Sequence, residues 1–340
     1  MLNTIYQLVR PRQFEVAFED ITLDQEHILV RPTHLSICNA DQRYYQGKRS
    51  EDILKQKLPM ALIHEGIGKV TYDPTGTFAV GDRVVMIPSV PTQPDDIVAE
   101  NYRRSSKFRG SNMNGLMQEY VQTIPDRLVP VPAGMSDLVA AFTEMVTVCY
   151  HAISRFDRTA HARRDTIGVW GDGNMGYITA LLLKARFPQS KLIVFGVTET
   201  KLSDFSFADE TYRVSAIPKD LQVDHGFECV GGTASGQVIN QIIDYINPEG
   251  TIGILGVSED QVPINTRMVL EKGLRILGTS RSGREDYLGL IKLYEEQPNV
   301  PEYLEKLIGG VIEIKDIRDM VAAFEMDIHK MMGKTIMVWD

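Results

Sequence analysis

The chain has 340 residues, 43% hydrophobic and 24% charged, with 36 Lys and Arg against 45 Asp and Glu for a net charge of −9. That length carries two cored domains at roughly 100–200 residues each, and the acidic balance excludes nucleic acid and anionic membranes, which need a basic partner surface. Three scattered cysteines, Cys38, Cys149 and Cys229, exclude a disulfide framework and any four-cysteine zinc site within one chain. No run approaches the ~18 apolar residues of a membrane span. The start, MLNTIYQLVRPRQF, has no signal-peptide core, so a cytoplasmic location is expected.

Through residues 1–140, short apolar runs are broken by turn signals. HILVRPTHLSI, GIGKVTY, DRVVMIPSV and MQEYVQTI read as strands, with DPTG and VGDR as turns. Residues 91–115 are polar and weakly periodic and read as a long lobe. TEMVTVCYHAISRF has helical spacing. Beyond it strands and helices alternate: TIGVW, YITALLLKARF, KLIVFG, HGFECVG, SGQVINQIIDYI, TIGILGV and RILGTS. Such alternation predicts a parallel, doubly wound sheet. The chain then returns to a helix, DYLGLIKLYEEQ, and ends in a strand, GKTIMVWD. The predicted fold is α/β, with a β-rich domain over 1–143 and 284–340 and a nucleotide-binding domain over 144–283.

The run TIGVWGDGNMGYITALLL contains G-x-G-x-x-G at Gly171, Gly173 and Gly176, between a strand and a helix. In that context Gly171 permits the tight turn, Gly173 lets a pyrophosphate approach the backbone, and Gly176 lets helix and strand pack closely. Asn174 and Met175 fill the intervening positions and are counted with the cofactor residues. An NAD enzyme would end the next strand in an acid that accepts from the ribose 2′-hydroxyl. Here KLIVFG ends in Gly196, and Thr198 and Lys201 follow as donors for a 2′-phosphate. NADP(H) is therefore the expected cofactor, and Gly196→Asp is expected to shift preference toward NADH.

Cys38 lies in SICNAD, His64 and Glu65 in ALIHEGIGKV, and Glu144 in AFTEMVTVCY. A catalytic zinc takes three protein ligands of these kinds. Spacing alone does not gather them, since a lone Cys or His is more often a packing residue.

SICNAD resembles the C-G-x-D turn of the zinc-dependent medium-chain dehydrogenase family, and IHEGIGKV resembles its G-H-E-x-x-G-x-V. The nucleotide turn, FECVGG and PEGTIGILGV follow in the family's order, so the likeness spans essentially the whole chain. It implies a GroES-like catalytic domain joined to a Rossmann domain. The polyol branch, which includes sorbitol dehydrogenase, binds catalytic zinc through a Cys, a His and two glutamates. Carried over, these are Cys38, His64, Glu65 and Glu144, with Glu65 either a direct ligand or exchanging with water. ADQRYYQG, KLPMALIHEG, GDGNMGYITALLL and NTRMVLEKGL are similar to the ribulose-5-phosphate reductase branch of teichoic-acid synthesis.

Two departures stand out. Residues 91–115 contain no cysteine, so one catalytic zinc and no structural zinc is expected. Ala40 stands where the family has a Ser or Thr that relays a proton. Arg43 and Tyr44 match substrate-contacting positions, and a guanidinium at 43 suits a phosphate. Arg281 in GTSRSG matches an arginine that reaches the cleft in relatives. A surface salt bridge for Arg43 and an ion pair between domains for Arg281 are the structural alternatives. The resemblance implies zinc-assisted, NADPH-dependent reduction of D-ribulose 5-phosphate to D-ribitol 5-phosphate, a homodimer, and a ribitol-5-phosphate cytidylyltransferase as next enzyme and partner. An NAD-dependent zinc polyol dehydrogenase is the competing enzyme reading, opposed by Gly196 and Arg43. A non-catalytic NADPH-binding protein would lack the ligands that are present here.

Overall fold

The computed structural model describes residues 1–330 and 332–339. The chain forms two units, one of Met1–Met145, Ser282–Glu296 and Leu304–Asp340, the other of Val146–Arg281 and Gln297–Tyr303. The last segment, which the sequence reading leaves with the β-rich domain, is tied to the nucleotide unit by three contacts. Tyr177 Oη donates to Tyr303 O at 3.1 Å, Gln297 Nε2 donates to Ala185 O at 3.1 Å, and the rings of Phe207 and Tyr303 meet at 5.3 Å.

In the first unit a seven-stranded sheet runs in the order Leu128–Pro130, Arg83–Met86, Glu65–Tyr72, Ile28–Ser36, Lys334–Trp339, Ile308–Ile314, with Val121–Thr123 also paired to Ile28–Ser36. A hairpin of Leu2–Arg10 and Gln13–Asp20, not foreseen in the sequence, adds the short strand Met60–Ala61. The core between them is filled by Leu8, Ile28, Leu35, Tyr45, Phe324 and Met337. Burying side chains of that size contributes about 1.5–3 kcal/mol each. Gly66 and Gly68 are small because their strand lies close to its neighbour: a Cβ would come within 2.5 Å of Leu35 Cδ2 and 2.4 Å of Arg31 O. This close approach fixes where His64 and Glu65 enter the sheet.

In the lobe at 91–115 one arginine gathers the turns. The Arg103 guanidinium donates to the carbonyls of Gln93, Asp95 and Val98 at 3.0, 2.7 and 2.9 Å. Its fork of five N–H donors gathers turns that would otherwise leave backbone acceptors unpaired. Glu100 anchors the lobe, accepting from buried Arg127 at 2.9 and 3.2 Å and from the Arg284 N–H at 2.6 Å.

The second unit holds a six-stranded parallel sheet. Numbered by appearance, its strands Thr166–Trp170, Lys191–Gly196, Glu210–Arg213, Val223–Glu228, Ile246–Ile254 and Arg275–Gly278 lie in the order 3-2-1-4-5-6. This is the doubly wound order, whose ligands bind beyond the strands' carboxyl ends where the direction of winding reverses. The four central strands are largely buried on both faces, which explains continuous apolar runs such as LIVF rather than alternation, while the edge strands Glu210–Arg213 and Arg275–Gly278 are partly exposed. Among the described residues no helix is long and apolar enough to cross a membrane.

Candidate active site

Cys38 follows the strand Ile28–Ser36 and caps the helix Asn39–Tyr45. Its N–H donates to Asp41 Oδ2 at 3.0 Å. The other oxygen, Oδ1, accepts the Ile63 N–H at 3.0 Å and lies 3.5 Å from His64 Nδ1. One buried carboxylate thus joins the Cys turn to the His-Glu corner, in the manner of a carboxylate that orients a metal-bound histidine. Ile63 has φ 69°, a left-handed backbone that a β-branched residue rarely adopts. Its surroundings enforce it: Leu116 N–H donates to Ile63 O at 2.7 Å, and Gly115 passes so close that a Cβ would sit 2.3 Å from that oxygen. Backbone strain held in this way is a mark of functional sites.

The geometry brings three of the expected ligands together. A sulfur of Cys38, a ring nitrogen of His64 and a carboxylate oxygen of Glu65 all lie within 4.8 Å of one another. His64 is buried against the Phe108 ring, with centroids 5.4 Å apart. Lys334 Nζ lies 2.9 Å from each Glu65 oxygen, but its hydrogen bond goes to Oε1; Oε2 is buried without a hydrogen-bond donor. A thiol, an imidazole and a carboxylate are the donor set zinc takes, so these residues fit the metal. Glu144, buried in the first turn of the helix Thr143–Thr159, stands outside this trio yet interacts electrostatically with His64 and Glu65.

Proton affinities at the site follow from this crowding. Burial, with Glu65 beside it, pushes the Cys38 thiol up. Burial opposes a charged His64, but Asp41 and Cys38 outweigh it and hold the imidazole well above its usual range. Burial raises Glu144 from 4.5 to about 7. All three shifts have one sign. Each protonated form favours the folded, metal-free state, and Glu144's contribution is complete below pH about 4.5 and lost as pH rises through about 7. The chelated protein is therefore expected to melt at progressively lower temperature across that window, with Glu144→Gln flattening the trend. Zinc affinity is expected to rise with pH, because binding must displace these protons. Melting curves and competition titrations against a zinc indicator at several pH values check both, and a pH-independent affinity would contradict the ligand set.

Arg43 is half-buried on the helix that begins at Cys38. Tyr44 is buried in the core, with the Arg49 guanidinium 5.2 Å above its ring. Arg281 closes the long segment of the second unit, half-buried with φ 60°. In that unit Gly171 has φ 137°, and a Cβ at Gly176 would stand 1.9 Å from Gly171 O. A Cβ at Gly173 would meet nothing within 4 Å. The turn is thus tight where helix meets strand and open before the helix Asn174–Arg186, a fit for a pyrophosphate at a helix N-terminus. Thr198 and Lys201 are half-buried and Glu199 is exposed on the short helix after Gly196. Lys334 is absent from the sequence reading; a lone Lys opening the apolar strand KTIMVW is its only signal.

Residues 24–133 match the alcohol dehydrogenase GroES-like domain family and residues 191–296 the zinc-binding dehydrogenase family. The ribulose-5-phosphate reductase of Bacillus spizizenii is 52% identical over 340 residues, all of both chains. Ribulose-5-phosphate reductase 1 of Staphylococcus aureus is 50% identical, over 100% of this chain and 99% of the relative. The crystal structure of S. aureus TarJ in complex with NADPH is 46% identical, covers 100% of both chains and superposes with a TM-score of 0.89. The chain belongs to the zinc-binding alcohol dehydrogenase family, in the branch of the ribulose-5-phosphate reductases.

Proposed function

We propose that this chain reduces D-ribulose 5-phosphate to D-ribitol 5-phosphate with NADPH, for a ribitol-phosphate cell-wall polymer, and that Cys38, His64, Glu65 and Glu144 hold its one zinc. The convergence of Cys38, His64 and Glu65 within 4.8 Å carries the reading, together with full-length identity of 52% to a ribulose-5-phosphate reductase. When bound, zinc supplies Lewis acidity to the ketone oxygen and NADPH supplies the hydride. The chain's residues do the rest. Asp41 fixes the His64 ring, and Lys334 balances the Glu65 charge. The glycine turn with Asn174 and Met175 receives the pyrophosphate, and Thr198 and Lys201 receive the 2′-phosphate. Ala40 carries only a methyl group, so proton transfer does not pass through residue 40. Arg43, with Tyr44 beside it, receives the substrate phosphate, and Arg281 serves the same substrate. A cytoplasmic homodimer that passes its product to a cytidylyltransferase completes the reading.

NADPH oxidation against ribulose 5-phosphate and unphosphorylated ribulose, with and without a chelator, tests the whole. Turnover that is equal on the two sugars, or untouched by complete metal removal, would overturn it. Losing a charge-assisted contact to phosphate costs about 1.5–3 kcal/mol, or roughly ten- to a hundredfold. Arg43→Ala is expected to lower kcat/KM for ribulose 5-phosphate by about that factor while zinc content and NADPH affinity hold, and Arg43→Lys to recover only part. A fully active Arg43→Ala enzyme would move the phosphate site elsewhere, with Arg281 the next residue to substitute.

A further inference from the structure

Asp172 lies inside the glycine turn, between Gly171 and Gly173, and is 9% exposed. A single oxygen, Oδ2, accepts two backbone hydrogen bonds from the neighbouring strand's end, Val197 N–H at 2.8 Å and Thr198 N–H at 2.7 Å. The same side chain fills the space above Gly196. A Cβ built there would stand 2.7 Å from Asp172 Cβ and 2.8 Å from Oδ2, closer than nonbonded atoms approach. The expectation that Gly196→Asp alone would shift preference toward NADH is therefore corrected: the position is not open to any side chain while Asp172 stands.

We propose that Asp172 is the positioning residue for cofactor choice. It clamps the Val197–Lys201 segment to the glycine turn so that Thr198 and Lys201 meet the adenosine 2′-phosphate. It also excludes from residue 196 the acid that an NAD enzyme would place there. This rests on the reading that the segment binds the 2′-phosphate. The turn and the segment come from different strand ends, and two N–H bonds to Oδ2 join them. Releasing them lets the segment that carries Thr198 and Lys201 drift from the 2′-phosphate without touching the open pyrophosphate position at Gly173.

Fluorescence titration of the purified zinc enzyme with NADPH, NADH and 2′,5′-ADP tests this, beside KM values for both cofactors. Lys201→Ala is the control: it should weaken NADPH and 2′,5′-ADP by about tenfold or more and leave NADH nearly unchanged. Asp172→Ala should weaken NADPH by about tenfold while NADH moves less than about threefold, and Asp172→Asn, whose amide oxygen accepts the same two bonds, should stay within about threefold of wild type on both. Gly196→Asp alone should weaken both cofactors. Combined with Asp172→Ala it should bind NADH more tightly than either single variant does. Improved NADH binding by Gly196→Asp alone, an unchanged NADPH/NADH ratio in Asp172→Ala, or loss of NADH binding in Asp172→Asn would each overturn the proposal. Indifference of Lys201→Ala would instead overturn the placement of the 2′-phosphate, and the proposal with it.

Discussion

Cys38→Ala is expected to strip the enzyme of zinc and of turnover together. Elemental analysis should fall from about one zinc per chain to almost none, since a three- or four-donor site loses its only thiolate. A Lewis acid at a developing alkoxide contributes several kcal/mol, and each 1.36 kcal/mol is tenfold, so the rate should drop by about a thousandfold or more. His64→Ala should do the same, because its Nδ1 is steadied by Asp41 at 3.5 Å and no other histidine joins the trio. Two zincs per wild-type chain, or full turnover by metal-free protein, would refute the assignment.

Glu65→Ala carries the largest expected effect on stability. Lys334 is 2% exposed, its Nζ donates to Glu65 at 2.9 Å, and Glu65 itself is fully buried. Burial works against the Lys334 charge, but Glu65 and then Cys38 outweigh it and hold its pKa above the usual lysine range. Removing one partner of a buried pair costs about 3–5 kcal/mol, because the survivor stays charged in a dry site. Urea unfolding of the chelated protein isolates this from metal binding. The double variant Glu65→Ala/Lys334→Met should regain much of the loss, since an apolar pair of similar volume carries no desolvation penalty. A single variant within about 0.5 kcal/mol of wild type, the range of ordinary surface substitutions, would show that Lys334 finds another partner.

Much of this was legible in the residues. The strand-glycine-helix run at 166–186 dictates its own local fold, because the glycines act on backbone geometry within a few positions. The alternation that follows it gave the parallel sheet for the same reason. Cys38 and His64 were legible as ligand types but not as neighbours: Asp41 and the left-handed Ile63 join them, and neither hydrogen bond has a sequence period. Lys334 escaped because its partner is 269 residues away and a buried lysine looks like a surface one until the sheet is assembled. Gly196 pointed to NADP(H) through its missing charge, but the sequence hid the packing there: Asp172 occupies the space that a side chain at 196 would need.

The Arg103 fork at the centre of the 91–115 lobe has a consequence for how this protein fails. A guanidinium cannot be chelated, oxidised or exchanged for a competing ion, as a thiolate-bound structural metal can. Cys149 and Cys229 are buried and no thiol stands in the lobe, so of the three thiols only that of Cys38 is within reach of thiol oxidants or toxic metals. With zinc held at Cys38 as proposed, scarcity of zinc or oxidative stress would act on the reacting centre and leave the lobe's arginine scaffold standing. Inactivation becomes a loss of catalyst rather than of protein, reversed by returning the ion or the reductant instead of by new synthesis.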